Sequence, residues 1–357
     1  EGPRYLARLR PLERTESMNN SVSSDVMIIG AGISGLLCAT ELQRAGLSVQ
    51  LIDKGRGFGG RMATRRMAGA RLDHGAQYFT VRSPTLQRYV DEWLAAGIIR
   101  EWFRHLPGDH NPEGYPRYCG VHGMTDVPRY LAESLQVHRS EEVCRLNRTS
   151  EGWEALTLSG TRFAGHHLVM TAPLPQTMAL LDTSGTILPD ALRAVQYEKG
   201  LATLALLDGP SGFPAPGGVK MDDGNLSWIA DNQMKGISPD VPAITLHATA
   251  SFAERHWDSP DALRGPLMLE AAAPFLKAAV TEYHCHRWGF TTAADPWPER
   301  CFYDAELNLA LAGDGFGSPR IEGAALSGLA AAVRLRSDLP ANSTHRQLIT
   351  GEMKHEG

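Results

Sequence analysis

Apolar and polar positions along the chain switch between a period of two and a period near 3.6, most sharply close to residue 30. Residues 25–29 (DVMII) form a short β-rich apolar run that enters glycines, and residues 34–45 follow with Leu36, Leu37, Ala39 and Leu42 at helical spacing. Gly46 stops that helix, and residues 48–52 (SVQLI) read as a second strand finishing at Asp53. Strand, helix and strand in this order predict a βαβ unit and a parallel sheet. Further apolar runs predict strands at 155–158, 167–171, 201–207, 243–248, 283–288 and 307–312, in an order that implies a second, mixed sheet. Pro/Gly-rich breaks at 107–116, 210–218 and 295–298 mark loops rather than repeats, and no internal repeat is present.

Length sets the scale of this pattern: 357 residues, at roughly 150 per domain, predict about two domains with room for a large ligand. The balance of 35 Lys+Arg against 40 Asp+Glu gives −5, which carries no nucleic-acid footprint. Five scattered cysteines without a CxxC pair argue against a disulfide framework and for a reducing, cytoplasmic setting. No apolar stretch is long enough to predict a membrane span. At the N-terminus, residues 1–17 carry Arg4, Arg8, Arg10 and Arg14 but also Glu1, Glu13 and Glu16, which reads as a leader or read-through segment before Met18. The polar stretch after Asp338 reads as solvated, with 341–357 a flexible tail.

Candidate chemistry begins at Gly30-Ala31-Gly32-Ile33-Ser34-Gly35, a GxGxxG string placed after a strand and at the opening of a helix. Gly30 permits a tight turn, Gly32 lets backbone approach a pyrophosphate, and Gly35 allows close helix–strand packing, while Ile33 and Ser34 belong to the same turn. The helix N-terminus then faces the phosphates. Asp53, about twenty residues on, is placed to bind both ribose hydroxyls and to repel a ribose 2′-phosphate. The continuation Lys54 to Met62 adds a second glycine pair, Gly59-Gly60, and Arg61, whose guanidinium is either a fork for phosphate oxygens or a solvated surface group. Arg65 and Arg66 read as solvated. Near the C-terminus, Leu309 to Gly315 followed by a small-residue helix through Gly323 and Ala324 is again a phosphate-facing arrangement. Asp314 there either bonds a ribityl chain or caps the helix. Two anion-facing segments favour FAD over NAD as the resident dinucleotide.

Taken together, GAGISG at Gly30, GGRMAT at Gly60, LDHGAQYFT at Leu72, GVHGM at Gly120, LVMTAPLPQ at Leu168, LHATASF at Leu246, HRW at His286 and LAGDGFG at Leu311 resemble the renalases, including their bacterial members. The match spans nearly all of 25–335, within the glutathione-reductase and amine-oxidase superfamily. The resemblance implies an α/β fold: a Rossmann-like FAD-binding domain of the glutathione-reductase/p-hydroxybenzoate-hydroxylase type, with an inserted α+β substrate domain on a mixed sheet. It also implies noncovalent FAD, with Gly75, Ala76, Gln77 and Tyr78 bordering the isoalloxazine ring, Val143 at the adenine end, and Met62, Thr171 and Gly313 among the cofactor contacts. By the same resemblance the activity would be oxidation of 2- or 6-dihydro isomers of NAD(P)H to NAD(P)+, with O2 as acceptor and hydrogen peroxide as product. Removing hydride from a dihydropyridine yields an aromatic pyridinium, so no catalytic base is required. The family pattern points to His247, Trp288 and Asn232 for the substrate pocket; a core histidine, a core tryptophan and a turn residue are their ordinary alternatives. The stretch after Trp288, Gly289-Phe290-Thr291-Thr292, departs from the bulkier polar run of relatives and bears on substrate preference.

Other constellations carry less. His284-Cys285-His286 and His166-His167 lack the further ligands of a zinc site, no GxSxG elbow is present, and Asp222-Asp223 and Glu141-Glu142 are adjacent acids that point apart. Cys119 and Cys144 read as inert thiols. The expected division is a discontinuous FAD domain at 24–83, 119–182 and 301–340 and a substrate domain at 84–118 and 183–300, with the reaction site between them. Two other functions stay open: a flavin amine oxidase or dehydrogenase acting on another small organic substrate, and a non-catalytic flavin-binding module. The sequence assigns no oligomeric state.

Overall fold

The structure is a computed structural model that describes residues 22–106 and 114–338; the segments expected as a leader (1–17) and a tail (341–357), and residues 107–113 of the first break, lie outside the described residues. The apolar run at the start of the pattern becomes the middle of an eight-stranded sheet. Its path runs Phe302–Asp304, Leu309–Leu311, Arg162–Met170, Val22–Ile29, Val49–Asp53, Gln136–Arg139. Val26 sits opposite His167 on one side and Val49 on the other, in parallel register. The pairings with Leu309–Leu311 and Gln136–Arg139 are parallel too. Strands covered on both faces read as unbroken apolar blocks, which is why 26–29 and 168–170 stood out. Antiparallel additions are the edge strand Phe302–Asp304 and the hairpin Val143–Thr149/Gly152–Thr157.

Helix Ile33–Arg44 follows the first strand as predicted, and Gly46, at φ +87°, takes the left-handed turn that ends it. The C-terminal helix Ile321–Asp338 lies against it, with Leu36, Leu37, Ala325 and Leu329 in one core cluster. Small residues make this approach possible: a Cβ on Gly328 would stand 2.0 Å from the Ser34 carbonyl oxygen.

The second sheet runs Gly218–Asp223, Leu226–Asp231, Ala243–Ala248, Gly200–Leu207, Val280–Trp288. Expected as mixed, it is antiparallel at each of its four pairings; the mixture of directions belongs to the first sheet. Tight reversals such as the one at Gly224 return the chain beside itself, whereas parallel neighbours need crossovers. Alternation along Gly200–Leu207 sends Leu201, Ala205 and Leu207 toward helices Ala250–His256 and Asp261–Ala272. Leu204 and Leu206 face the hairpin Thr64–Met67/Ala70–Asp73, where they meet Ala70 and Leu72. That hairpin joins the two layers. Among the described residues, no helix is long and apolar enough to cross a membrane.

Candidate active site

A cavity of about 2380 Å³ runs from the carboxyl ends of the parallel strands (Ile29, Asp53, Thr171, Gly313) to His247 and Trp288 of the second sheet. Single-ligand pockets hold roughly 300–1,000 Å³, so this one has room for a dinucleotide and a second molecule. Open α/β sheets bind ligands at these strand ends.

At its floor lies the glycine turn. Gly30 has φ +108°, and a Cβ there would stand 2.5 Å from the Thr171 hydroxyl, which donates to the Ile29 and Gly30 carbonyls at 3.1 and 3.0 Å. Gly35 does not line the cavity; a Cβ on it would come 2.1 Å from the Gly30 oxygen, so its part is helix–strand closeness. Gly32 opens the helix with no atom within 4 Å of where its Cβ would be and no side-chain cap. Beside it the Ser34 hydroxyl is buried without a partner. Uncapped amides and an unpartnered hydroxyl at a helix N-terminus fit a pyrophosphate. Asp53 is fixed next to them, accepting from the Ala31 and Gly55 amides, each at 2.6 Å. Each carboxylate oxygen keeps a further lone pair for a ribose hydroxyl. Lys54 lines the same end and reaches Gln176 at 3.4 Å, and Val143 closes the far side.

Arg61 and Asp314, expected to meet the cofactor separately, meet each other. The guanidinium forms a two-pronged pair with the carboxylate at 2.6 and 2.5 Å and also donates to the Phe290 and Thr291 carbonyls. One ion pair thus ties together the Gly60–Met62 turn, the GDG turn and the segment after Trp288. The Tyr197 phenol, 3.5 Å from Asp314, is pushed up by burial and by that carboxylate. Gly60, Arg61, Met62, Gly313, Asp314, Gly323 and Ala324 all line the cavity.

The wall opposite is built by Gly75 to Tyr78. Ala76 donates its amide to the Arg61 carbonyl at 2.8 Å, and a Cβ on Gly75 would stand 2.0 Å from that same oxygen. The Gln77 amide donates to the Asp73 carbonyl at 2.6 Å and lies 3.4 Å from His247 Nε2. Behind it, Lys235 is fully buried, donating to Asp73 Oδ2 at 2.7 Å and to the Gln77 carbonyl at 2.6 Å. Trp288 donates its indole N–H to the His74 carbonyl at 2.8 Å, stacks on the His74 ring at 5.2 Å and meets His286 edge-on at 4.4 Å. Burial, then His286 and Arg65, push His74 down to about 3; burial, then Lys235, push His247 down to about 4. His286 is lowered by burial and Arg65. At neutral pH these rings are uncharged, in a field set by buried or nearby cations.

Asn232 is a correction. It does not line the cavity: fully buried, its side-chain amide donates to Thr245 Oγ1 at 3.0 Å, and its main-chain carbonyl accepts from the Ile237 and Ser238 amides, so it shapes the turn between two strands. His74 and His286, which line the cavity, and Lys235, buried behind Gln77, were not anticipated. The first two sat inside quoted motifs, and strand alternation, which puts 284, 286 and 288 on one face, was the signal available for His286.

The sequence model of the family described as flavin-containing amine oxidoreductase matches residues 106–336, and that of an NAD(P)-binding Rossmann-like domain matches 28–93. The chain belongs to the flavin-containing amine oxidoreductase family. Renalase of Mus musculus is 25% identical over 332 residues, covering 86% of this chain and 97% of that protein. Putrescine oxidase of Kocuria rosea is 32% identical over 80 residues, 22% of this chain and 17% of that protein. Among solved structures, putrescine oxidase bound to putrescine superimposes with a TM-score of 0.67 at 15% identity, covering 89% of this chain and all of that one. A protein titled putative protoporphyrinogen oxidase from Exiguobacterium sp. 255-15 gives 0.67 at 12% identity, covering 90% of this chain and 99% of that chain. The fold is therefore the Rossmann-like FAD-binding fold of this family, FAD is the cofactor, and the protein is a renalase-like, FAD-dependent oxidoreductase. The uncapped helix N-terminus, the unpartnered Ser34 hydroxyl and the Asp53 carboxylate fit the FAD pyrophosphate and ribose.

Proposed function

We propose that this protein oxidises isomeric dihydronicotinamide dinucleotides, the 2-dihydro or 6-dihydro forms of NAD(P)H, to NAD(P)+. The observation that carries the reading is the wall of uncharged rings, Trp288, His74, His286 and His247, that lines the cavity. A planar, neutral dihydropyridine attached to an anionic pyrophosphate suits such a wall; a protonated amine does not. The glycine turn, Asp53 and the Gly75–Tyr78 wall would hold FAD noncovalently, and the flavin would supply hydride acceptance and two-electron transfer to O2, with hydrogen peroxide as product.

The chain's own part is placement. Trp288 offers its face to the dihydropyridine and is held in orientation by its bond to the His74 carbonyl. His247, neutral and 3.4 Å from the Gln77 amide, presents a hydrogen-bonding nitrogen without adding charge. No residue needs to take a proton, because hydride loss leaves an aromatic pyridinium. Holding the ring in a reactive orientation and excluding water is then the protein's contribution to rate. The division into a discontinuous FAD domain and a substrate domain belongs to the same reading, as does a reducing, cytoplasmic setting, which suits five free thiols.

Anaerobic stopped-flow of the yellow protein tests this, following flavin bleaching with 2-dihydro-NAD, 6-dihydro-NAD, their phosphorylated forms, ordinary NADH and a panel of amines. Rapid bleaching by one dihydro isomer, with peroxide formed on admitting air, is the expected result. Bleaching by amines alone would replace the reading with an amine oxidase, which the family match and the likeness to putrescine oxidase favour.

A further inference from the structure

Outside the flavin cavity, the hairpin Thr64–Met67/Ala70–Asp73 and the helix Asp126–Ala132 enclose a polar recess of about 200 Å³. Arg66, Arg71 and Arg129 line it, together with His122 and Asp126. Arg66 and Arg71 are direct cross-strand partners on the hairpin. Like charges in that relation oppose strand pairing unless something neutralises them. Among the described residues, none of the three guanidinium groups makes a hydrogen bond or an ion pair.

The carboxylate in the recess does not serve them. Asp126 Oδ2 accepts from the His122 amide at 2.6 Å and faces the His122 imidazole at 3.3 Å. The neighbouring hydroxyls are committed as well: Thr64 donates to Asp73 Oδ1 and Thr125 to the Met62 carbonyl. The donors left to a ligand are the guanidinium N–H groups. Three arginines against one carboxylate leave two positive charges uncompensated.

We propose that this recess binds a phosphate dianion, either inorganic phosphate or the phosphomonoester of a larger metabolite. Its two charges match the excess, and its tetrahedral oxygens accept from several guanidinium forks at once, which a single carboxylate matches less well. Binding would also relieve the Arg66–Arg71 opposition within a hairpin that runs directly between two cofactor-facing stretches, Gly60–Met62 and Gly75–Tyr78.

Isothermal titration of the FAD-loaded protein at low ionic strength tests the site, with inorganic phosphate in one arm and adenosine 5′-monophosphate in the other. Saturable one-to-one binding is expected, weakened about tenfold or more by Arg66→Gln and by Arg71→Gln. Arg255→Gln, on helix Ala250–His256 and outside the recess, should bind as the parent does. Adenosine monophosphate binding more than about tenfold tighter than phosphate assigns the site to a phosphomonoester, and equal binding assigns it to the free ion. No saturable binding of either ligand, or binding that Arg66→Gln and Arg71→Gln leave intact, overturns the proposal.

Discussion

His247 and Trp288 take their chemistry from neighbours distant in the chain. Trp288 is oriented by the carbonyl of His74, and the imidazole of His247 is kept neutral by burial and by the charge on Lys235. Either ring, cut back to alanine, should slow flavin reduction by the proposed dihydropyridine about 10- to 100-fold, the scale of a misplaced reactant, while FAD stays bound. Stopped-flow bleaching together with the flavin absorbance of the purified variants reads both; parent-like reduction in both variants would remove these residues from the site. Motif strings exposed these two residues because each lies on a strand with a readable pattern. Asn232 was read from the Asp231-Asn232 segment, outside those motif strings, and holds a turn in the structure, where the neighbouring strand supplies Thr245 and the loop supplies Ser238. Lys235 left no trace in the pattern: a lone lysine in a polar loop looks solvated, and only folding brings Asp73 and Gln77 onto it.

Elements with strong local signals were legible, and those whose partners are remote were not. The βαβ unit at 22–53, the blocks at 201–207 and 243–248 and the Gly46 stop follow from local periodicity and turn chemistry. Strands Thr64–Met67, Ile99–Phe103 and Gln136–Arg139 were not anticipated, because short strands with partly polar faces exist through their neighbours. The buried pair Lys235–Asp73 joins the loop after Leu226–Asp231 to the hairpin strand Ala70–Asp73. Lys235→Met leaves Asp73 buried and unpaired, and should destabilise the protein by about 3–5 kcal/mol. Asp73→Asn with Lys235→Met removes both charges and should cost less than the two single changes summed. Urea denaturation of the four proteins measures the coupling, and additive effects would mean that the pair contributes no interaction.

The molecule as an assembled object joins a mixed sheet with a parallel centre to an antiparallel one, with the cavity between them. That burial leaves a signature in acid. His74, His167 and His247 are lowered, the first to about 3 and the others to about 4, from an ordinary value of 6.5, chiefly by desolvation. Between 6.5 and these lowered values the unfolded chain binds more protons than the native one, so stability should rise with pH across that window and be lost as pH falls through it. Denaturation midpoints at pH 7 and pH 4.5 test this. His167→Leu should flatten the difference, since both nitrogens of that imidazole are buried without partners; an unchanged pH dependence would count against it. Short-range chemistry settled the dinucleotide turn, the acid at the second strand's end and the class of cofactor, because glycine conformation, helix dipoles and a carboxylate's reach act within one βαβ unit. Folding alone decided that Arg61 pairs with Asp314, that the His74 ring stacks on Trp288, and that Lys235 sits behind Gln77. Those contacts span sequence separations that no local period encodes, and they form only when distant segments are brought together by the folded sheets.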